Sequence, residues 1–423
     1  MIPIQIIRNK PEEVKQLLAK RKATYSSLVD QVLQIDEQKR AMQTEQDAKL
    51  SESNKINKEI GKAFKVGDTQ LADSLKQQSL DLKETLKALD TQYKKLEQQF
   101  SELMYMLPNV PSHEVPEGSS EDANEVVFES DKKVSLVAGS LPHWELAQKY
   151  QLIDFELGTQ ITGAGFPVYT GQGAKLQRAL INFFLDSAAK EGYYEVQPPL
   201  LVNEASGTAT GQLPDKEGQM YHVGIDDLYL IPTAEVPITN LFRGQVVKES
   251  DLPIKRVGYT PCFRREAGSY GAHVRGLNRL HQFDKVEIVQ VAHPGHSYNQ
   301  LNEMVAYVQT LLSQLELPYR ILKLCAGDLG FASAMTFDFE VYSAAQERWL
   351  EVSSVSNFEG FQSNRLKLRY KNKEGKNELA HTLNGSAMAL PRIVAALLEN
   401  NQTPQGIVLP PCLVPYFGSD RIL

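Results

Sequence analysis

The sequence has few cysteines and no long hydrophobic run. Its 423 residues include 3 Cys, at Cys262, Cys325 and Cys412, and none of them belongs to a Cys-x-x-Cys motif. We therefore expect neither a disulfide framework nor a cysteine-ligated zinc site, and a reducing, cytoplasmic compartment fits best. No run approaches the roughly 20 apolar residues that span a bilayer, and the first ten residues lack the order of a signal peptide. We expect a cytoplasmic protein that starts at or near Met1 and does not enter a membrane.

An excess of basic charge is also missing. The chain has 45 Lys+Arg against 52 Asp+Glu, a formal net charge of -7, which argues against nonspecific coating of nucleic acid but leaves room for a local basic patch. A Gly-x-x-x-x-Gly-Lys-Ser/Thr loop does not occur, so a P-loop nucleotide site is not expected. The length predicts two or three domains, and 42% hydrophobic residues can fill at least one large core.

Residues 11–107 have the composition of long helices. They contain one proline, Pro11, and are rich in Lys, Glu, Gln and Leu. Apolar residues recur at heptad spacing in two stretches, and the segment Gly61–Asp68 between them is suited to a reversal of direction. We therefore predict an antiparallel two-helix coiled-coil arm. The first seam comprises Tyr25, Leu28, Val32, Ile35 and Met42, and the second comprises Leu75, Leu82, Leu86, Leu89, Tyr93, Leu96, Phe100 and Leu103.

The tip of this arm is locally basic. Residues 49 to 65 include five lysines and only two acidic residues, Glu52 and Glu59, so the local charge is about +3. The lysines indicate either an RNA-binding tip or an ordinary solvated helix face, and charge alone favours the second. A coiled coil by itself is more often a dimerisation device or a spacer. The lysines are Lys49, Lys55, Lys58, Lys62 and Lys65.

The composition changes after the arm. An acidic stretch rich in Pro, Ser and Gly predicts an irregular linker, and short β-rich runs then alternate with a few helices, among them Lys175–Glu191 and Gln300–Leu315. Hairpin-like connections favour an antiparallel sheet with flanking helices, that is, an α+β domain. The predicted boundaries are 1–110 for the N-terminal domain, 111–131 for the linker and 132–423 for the second domain.

The segment Thr260–Glu287 carries the clearest chemical signal. It contains Phe263-Arg264-Arg265-Glu266, a glycine-containing loop, and a returning stretch with Phe283 and Glu287. Two strands joined in this way can present a guanidinium, a carboxylate and an aromatic ring on one sheet face. Arginine binds phosphate, an aromatic ring stacks on a base, and carboxylates hold ammonium or amino groups. Arg-Arg-Glu alone would be explained by surface ion pairs.

With its neighbours, this segment resembles the seryl-tRNA synthetases of bacterial type, which are class II aminoacyl-tRNA synthetases. The first class II signature resembles Gly173–Pro199, the second is the segment around Phe263–Glu266, and the third is Thr382–Arg392. Sequence motifs typical of this family also occur at Thr210-Gly-Gln-Leu-Pro, Ile231-Pro-Thr-Ala-Glu235 and Trp349-Leu-Glu-Val-Ser-Ser354. The resemblance covers nearly the whole chain.

The resemblance implies ligation of serine to tRNA, with serine first activated by ATP. It implies Mg²⁺ held by Glu351 and Ser354, the partners tRNA(Ser) and, as a further candidate, tRNA(Sec), and a homodimer in which the arm of one subunit serves the site of the other. The implied serine-binding residues are Thr233, Ala234, Glu235, Arg264, Glu287, Asn384 and Ser386. The implied ATP-binding residues are Arg264, Arg265, Glu266, Leu280, Phe283, Glu351, Val352, Ser353, Ser354 and Arg392.

Two positions depart from the family pattern. Arg265 stands where a small residue is more common, so its side chain is expected to contact something else or to point outward. The loop Tyr270–Val274 carries little positive charge for a contact with a tRNA acceptor end. His281 is expected to be structural, and the pair His293 and His296 to form a surface turn and not a metal site.

Two other functions are compatible with parts of the sequence. One is an enzyme that activates serine or a related amino acid for a carrier protein, and the long arm argues against it. The other is a catalytically silent RNA-binding or scaffold protein, and the joint presence of Arg264, Glu266, Glu287, Glu351 and Arg392 argues against that.

Overall fold

The structure is a computed structural model that describes residues 1–134, 136, 139–215, 218–266 and 274–423. The chain forms two compact units, one of residues Ile2–Pro108 and one of Asn109–Leu423 together with Met1. Among the described residues, no helix combines the length and the apolar character that crossing a membrane requires.

The N-terminal unit is helical. Two short helices, α1 (Ile4–Asn9) and α2 (Pro11–Arg21), precede two long ones, α3 (Thr24–Val66) and α4 (Thr69–Met106). At about 1.5 Å per residue, the 43 residues of α3 extend on the order of 65 Å. Gly67 ends α3 in the left-handed conformation with φ 76°, and the Asp68 side chain caps α4 by accepting from the Leu71 N–H. The predicted two-helix arm with its turn near Gly61–Asp68 is confirmed.

The two seams pack against each other along the arm. Leu28 and Val32 of α3, and Leu75, Leu82 and Leu89 of α4, are buried, as their heptad spacing predicts. Beyond Met42 the seam of α3 becomes polar, with half-buried Lys49 and Ser53. The arm is therefore held by apolar contacts over part of its length and by mixed contacts elsewhere.

A lysine takes part in the arm contact. The Lys39 ammonium lies 5.5 Å from the ring centroid of Tyr93 and 5.0 Å from that of Phe100, and 3.1 Å from the Glu97 carboxylate. An ammonium over two aromatic faces and beside a carboxylate is stabilised by all three groups.

At the base of the arm, Asp36 of α3 is a buried carboxylate. Arg8 of α1 donates to it from Nε at 2.7 Å and from Nη2 at 2.6 Å, and Arg40 donates from Nε at 3.2 Å. Burial alone raises the pKa of Asp36, but the hydrogen bonds and charges of the two arginines outweigh it, so the pKa is lowered. This ion pair fastens α1 to the long helix.

The C-terminal unit alternates helices with strands. Its helices are α5 (His143–Lys149), α6 (Phe155–Ile161), α7 (Gly171–Lys190), α8 (Glu204–Thr210), α9 (Glu235–Asn240), α10 (Ser297–Gln314), α11 (Gly360–Leu366), α12 (Leu390–Asn400) and α13 (Val414–Phe417). Its strands are β1 (Glu125–Glu129), β2 (Ile153–Asp154), β3 (Val168–Tyr169), β4 (Tyr194–Glu195), β5 (Leu201–Asn203), β6 (His222–Val223), β7 (Leu228–Leu230), β8 (Val246–Lys248), β9 (Ile254–Phe263), β10 (Gln282–Ala292), β11 (Tyr319–Lys323), β12 (Met335–Ser343), β13 (Arg348–Glu359), β14 (Arg369–Lys371), β15 (Asn377–Leu379), β16 (His381–Ala389), β17 (Gln402–Thr403), β18 (Gly406–Val408) and β19 (Arg421–Ile422).

The main sheet runs in the order β1-β11-β12-β13-β16-β10-β9-β4 within the described part of the chain. Its pairs are antiparallel except that of β4 with β9, which is parallel. Helices α7, α10 and α12 contribute to the main hydrophobic core, where Val286 and Ile288 of β10 also lie. Val289 lies instead in a small cluster with Ala234 and Ile238 beside α9, so the two faces of β10 pack against different elements. The predicted α+β fold with an antiparallel sheet is confirmed.

The predicted linker is more ordered than its composition indicated. Residues 111–131 contain the strand β1, which pairs with β11 at the edge of the main sheet. Val126 and Phe128 are largely exposed, so the strand is held by backbone pairing more than by burial, which its acidic composition concealed.

Candidate active site

Alternation along β10 aligns three site residues. Phe283, Lys285 and Glu287 are two residues apart, so their side chains project from the same face of the sheet. In the register with β16, Glu287 lies opposite Ser386 and Val289 lies opposite Asn384. Directly opposed residues share a face, so β16 brings Ser386 and Asn384 to the same side.

A buried polar cluster lies on this face. The Lys285 ammonium is 2.6 Å from the Glu287 carboxylate and donates to the Thr233 hydroxyl at 2.8 Å. The Ser386 hydroxyl donates to the same Glu287 oxygen at 3.4 Å. These four side chains are buried, and three of them were expected to bind serine. Lys285 was not predicted. The signal available was its place two residues before Glu287 on one strand.

Glu235, at the start of α9, is a second buried carboxylate. Burial and the charge of Glu287 raise the pKa of Glu235 to about 7. The hydrogen bond from Gln362 Nε2, 2.6 Å long, and the nearby Lys285 and Asn384 act in the opposite direction. A positive charge placed in this cluster would favour the ionised form of Glu235. Gln362 lies on α11, eight residues after the motif that ends at Ser354, and sequence reasoning did not identify it.

The arginine signature ends β9. The Arg264 guanidinium lies 5.2 Å from the ring centroid of Phe283, and its Nε donates to the Pro232 carbonyl at 3.4 Å. Glu266 accepts from Arg279 at 2.8 Å. The Arg265 side chain is exposed, while its N–H donates to the Gln219 carbonyl, in keeping with an outward orientation. Of the loop Tyr270–Val274, residues 270–273 lie outside the described residues.

A β-bulge creates the surface that carries Glu351 and Ser354. Residues three apart on a regular strand point to opposite faces. Here Asp338 pairs with Ser354 and Glu340 with Glu351, while the register shifts by one residue between them. Val352 is the extra residue, so Glu351 and Ser354 lie on the same face. These two oxygen ligands can hold Mg²⁺, which also takes waters and substrate phosphates.

Asp338 adds a further carboxylate beside this pair. Its Oδ1 is buried and has no hydrogen-bond partner among the described residues. Burial and the charge of Glu351 raise the pKa of Asp338 well above its ordinary value. Within the same residues, no group of three His, Cys, Asp or Glu side chains converges as a metal cluster. The donor set therefore suits a hard cation that completes its shell with phosphate oxygens and water.

Arg392 stands at the start of α12, directly after Pro391. Its Nε donates to the Asn278 carbonyl at 3.0 Å, and its Nη1 donates to the Glu351 carbonyl at 2.7 Å. Burial lowers the pKa of Arg392 from its ordinary value. The third signature therefore meets both the segment after the second signature and the bulged strand.

Three predicted positions have apolar side chains that lie in hydrophobic clusters. Ala234, Leu280 and Val352 are all buried, so their backbones and not their side chains are available to a substrate. Ser353 lies on the core side of β13, opposite Phe339, and its hydroxyl donates to the Ser386 carbonyl at 2.5 Å. Its role in the structure is to tie β13 to β16.

The three histidines considered in the sequence contact other side chains of the protein. His281 Nδ1 forms a hydrogen bond of 2.8 Å with the Tyr221 hydroxyl. The His281 ring also stacks on the Phe166 ring, with the ring centroids 5.3 Å apart. His293 and His296 lie in a short turn before α10, and the His293 ring also contacts Tyr370.

The chain matches two family models. Residues 1–111 match the seryl-tRNA synthetase N-terminal domain, and residues 221–401 match the class II tRNA synthetase core domain of the G, H, P, S and T group. A serine–tRNA ligase of Salinibacter ruber is 48% identical over 100% of this chain and 99% of its own length. The chain belongs to the seryl-tRNA synthetase family. It is an ATP-dependent aminoacyl-tRNA ligase.

A solved structure gives the same family, and a second one shares the fold. The crystal structure of seryl-tRNA synthetase from Pyrococcus horikoshii complexed with ATP has a TM-score of 0.94 and 31% identity, and the match covers 100% of this chain and 99% of that one. An M. kandleri SerRS in complex with A. aeolicus tRNASec is 19% identical with a TM-score of 0.58, covering 81% of this chain and 70% of that one. The second match shows the fold alone.

Proposed function

We propose that this seryl-tRNA synthetase family member joins L-serine to ATP to form seryl-adenylate and pyrophosphate, and then transfers serine to the 3′ terminal adenosine of tRNA(Ser). The observation that carries the proposal is the buried cluster of Thr233, Lys285, Glu287 and Ser386 beside Glu235. Taking an ion pair and two hydroxyls out of water costs free energy even when they pair with one another, and binding of a small polar ligand would explain why they are gathered there.

Serine selection follows from the cluster's size and polarity. Glu287 and Ser386, 3.4 Å apart, would hydrogen-bond the serine hydroxyl, with Asn384 nearby. Alanine would not supply the hydrogen bonds that the serine hydroxyl makes with these buried groups, and a larger side chain would meet the surrounding walls. Thr233 and Glu235 would hold the ammonium group, whose charge complements the carboxylate.

Activation would proceed by positioning and electrostatics. The serine carboxylate attacks the α-phosphorus of ATP, a new P–O bond forms, and the bond to pyrophosphate breaks, so no protein nucleophile is needed. Arg264 would hold the α-phosphate and the serine carboxylate, and Arg392 the γ-phosphate. Phe283 would stack on adenine, and Glu266 would accept from its amino group. Mg²⁺, held by Glu351 and Ser354, would neutralise phosphate charge when bound.

The arm would supply recognition of the tRNA. Lys55, Lys58, Lys62 and Lys65 are exposed near the turn at Gly67, and Lys49 is half-buried beside Glu52. Lysines near the end of a long helix pair suit contacts with an RNA backbone, which read shape more than sequence. We propose tRNA(Ser) as the substrate, tRNA(Sec) as a second one, and the cytoplasm as the location.

We also propose a homodimer in which the arm of one subunit serves the active site of the other. The first class II signature supports it, because α7 and β4 form the segment that pairs subunits in this class. A two-fold dimer is also the commonest oligomer of soluble enzymes. Light scattering of the full chain tests it.

The first experiment is serine-dependent exchange of labelled pyrophosphate into ATP, with alanine, threonine and cysteine as controls. Charging of total tRNA then tests the second step. Exchange with serine followed by charging supports the proposal. Exchange without charging would instead indicate transfer to a carrier protein, and no exchange from folded protein with Mg²⁺ would indicate a silent RNA-binding protein.

A second experiment tests the arm. Replacing Lys55, Lys58, Lys62 and Lys65 with Gln should lower kcat/KM for tRNA in charging by about tenfold or more, while leaving pyrophosphate exchange unchanged. A matched control replaces the exposed Lys367, Lys371, Lys373 and Lys376 of the catalytic unit. Equal losses in both variants would show that only overall charge matters.

A further inference from the structure

His143 and Glu399 form a buried pair beside the region assigned to ATP. Both side chains are fully buried. His143 Nδ1 lies 2.7 Å from the Glu399 carboxylate, and His143 Nε2 accepts from the Leu277 N–H at 2.8 Å. Because Nε2 accepts, the proton of a neutral ring is on Nδ1, where it is donated to Glu399. The orientation of the imidazole is thereby fixed at both ends.

Glu399 gathers donors from three elements. It accepts from the His143 N–H at 2.9 Å, from Gln346 Nε2 at 3.0 Å and from the Ser343 hydroxyl. Burial acts to raise the pKa of Glu399, but the hydrogen bonds from His143 and Ser343 outweigh it and lower the pKa. A buried carboxylate with this many donors is a rigid anchor.

The network ends at Arg392. Gln346 Oε1 accepts from the Asn278 side chain at 2.9 Å, and the Asn278 carbonyl accepts from Arg392 Nε at 3.0 Å. Arg392 and Glu399 lie at opposite ends of α12. The segment Leu277–Asn278 therefore lies between an anchor at the end of α12 and the arginine at its start.

The backbone just before this segment packs closely against the imidazole of His143. Gly276 has φ 67°, and a Cβ added there would lie 2.3 Å from His143 Nε2. The backbone approaches the imidazole too closely for any side chain. A change at His143 is thus transmitted directly to the backbone of Leu277 and Asn278.

We propose that His143 and Glu399 are positioning residues for ATP, because they hold the backbone carbonyl that orients the Arg392 guanidinium. The inference rests on the proposed function, since Arg392 is assigned to the γ-phosphate there. It concerns residues outside all three class II signatures. The residues proposed to bind serine include Thr233, Glu287 and Ser386, none of which belongs to this network, so we expect the effect to be confined to ATP.

Two substitutions of His143 distinguish a role in positioning the Leu277–Asn278 backbone from a general role in stabilising the fold. In His143→Gln the amide oxygen can replace Nε2 as the acceptor for Leu277. In His143→Asn the amide reaches only the position of Nδ1, so the bond to Glu399 is kept and the bond to Leu277 is lost. His143→Asn should raise KM for ATP in pyrophosphate exchange about tenfold, with KM for serine within about twofold of wild type. His143→Gln should restore most of the ATP affinity.

Controls and a binding measurement keep the outcomes distinct. His296→Gln alters an exposed histidine and should change neither KM. ATP affinity of the same full-length variants is measured by calorimetry, which needs no turnover. If wild type binds ATP but shows no exchange with serine, the proposed function fails, and the Asn-to-Gln contrast in ATP affinity still decides this inference. Equal rises in both KM values, or a Gln variant no better than Asn, would overturn it.

A second variant serves if His143→Asn does not fold. Gln346→Leu removes the bond to Asn278 and should raise KM for ATP selectively. Unchanged KM values in this variant would overturn the inference.

Discussion

Lys285 and Glu287, two residues apart on β10, form a buried ion pair of 2.6 Å, and the same ammonium reaches the Thr233 hydroxyl at 2.8 Å. The protein itself therefore places a positive charge inside the pocket that we propose for serine. Lys285 partly neutralises the two carboxylates and leaves one negative charge for the ammonium of serine when both are ionised.

Lys285→Met should damage both stability and serine binding. It leaves Glu287 buried without its cation, which costs about 3 kcal/mol of unfolding free energy and raises KM for serine. Urea unfolding and serine-dependent exchange measure the two effects. Lys255→Met is the matched control, because Lys255 lies on the neighbouring strand β9 and pairs with Glu303 at 3.8 Å near the surface. If both variants lose the same free energy of unfolding, the buried ion pair contributes no more to stability than the surface pair does.

Glu235 predicts a pH dependence of serine binding. Its pKa is raised to about 7 by burial and by Glu287, and the ammonium of serine favours the ionised form. Between pH 6 and pH 8 the ionised fraction rises roughly tenfold, so KM for serine should fall by a similar factor and then level off. The variant Glu235→Gln should bind serine poorly and without this dependence. A flat wild-type profile would contradict the assignment.

The same group predicts a pH dependence of stability. A carboxyl whose pKa is raised on folding stabilises the protein fully below its unfolded value near 4.5, and this contribution is lost as the pH rises to about 7. Glu235→Gln should therefore gain about 3 kcal/mol relative to wild type between pH 4 and pH 8. Denaturant unfolding at the two pH values provides the measurement.

The bulged strand predicts where the metal acts. Glu351→Gln should raise the Mg²⁺ concentration for half-maximal exchange about tenfold or more, and should weaken Mn²⁺ binding with ATP measured by electron paramagnetic resonance. Glu340 lies opposite Glu351 but is paired with Arg320 at 2.5 Å, so Glu340→Gln should leave the metal dependence unchanged. A metal effect in Glu340→Gln equal to that in Glu351→Gln would refute this assignment.

The Arg8–Asp36 pair predicts acid sensitivity at the base of the arm. Because the pKa of Asp36 is lowered on folding, its contribution is present above the unfolded pKa and is lost as the pH falls below about 4. Asp36→Asn should reduce protection of the α1–α3 amides against hydrogen exchange at pH 7 by about 2 kcal/mol. Asp30→Asn removes an exposed partner of Lys15 and should cost less than about 0.5 kcal/mol.

Elements that depend on local periodicity were predictable. The seams of α3 and α4 repeat within a few residues, and Gly67 and Asp68 are residues that end and begin helices. The antiparallel fold also followed from short strands and hairpin-like connections. Strand β1 did not, because its pairing with β11 joins residues almost 200 positions apart, and an acidic composition gives no sign of it.

The site was predictable only in part. The sequence motifs identified Glu287, Arg264 and Arg392 as candidates. Lys285 and Gln362 join the candidate site only through contacts with elements that are distant in the sequence. The shared face of Glu351 and Ser354 depends on a register shift against β12, and register is a property of two strands together. A pattern read along one strand cannot show it.

Val352 adds an apolar side chain to the core, and its more important contribution is to the residue count of β13. Another apolar residue of similar size would preserve the site, whereas loss of this one position would turn Glu351 away from Ser354 while every atom of both side chains remained in the chain. We therefore expect the candidate active site to tolerate a change of side chain at residue 352 but not an insertion or deletion there.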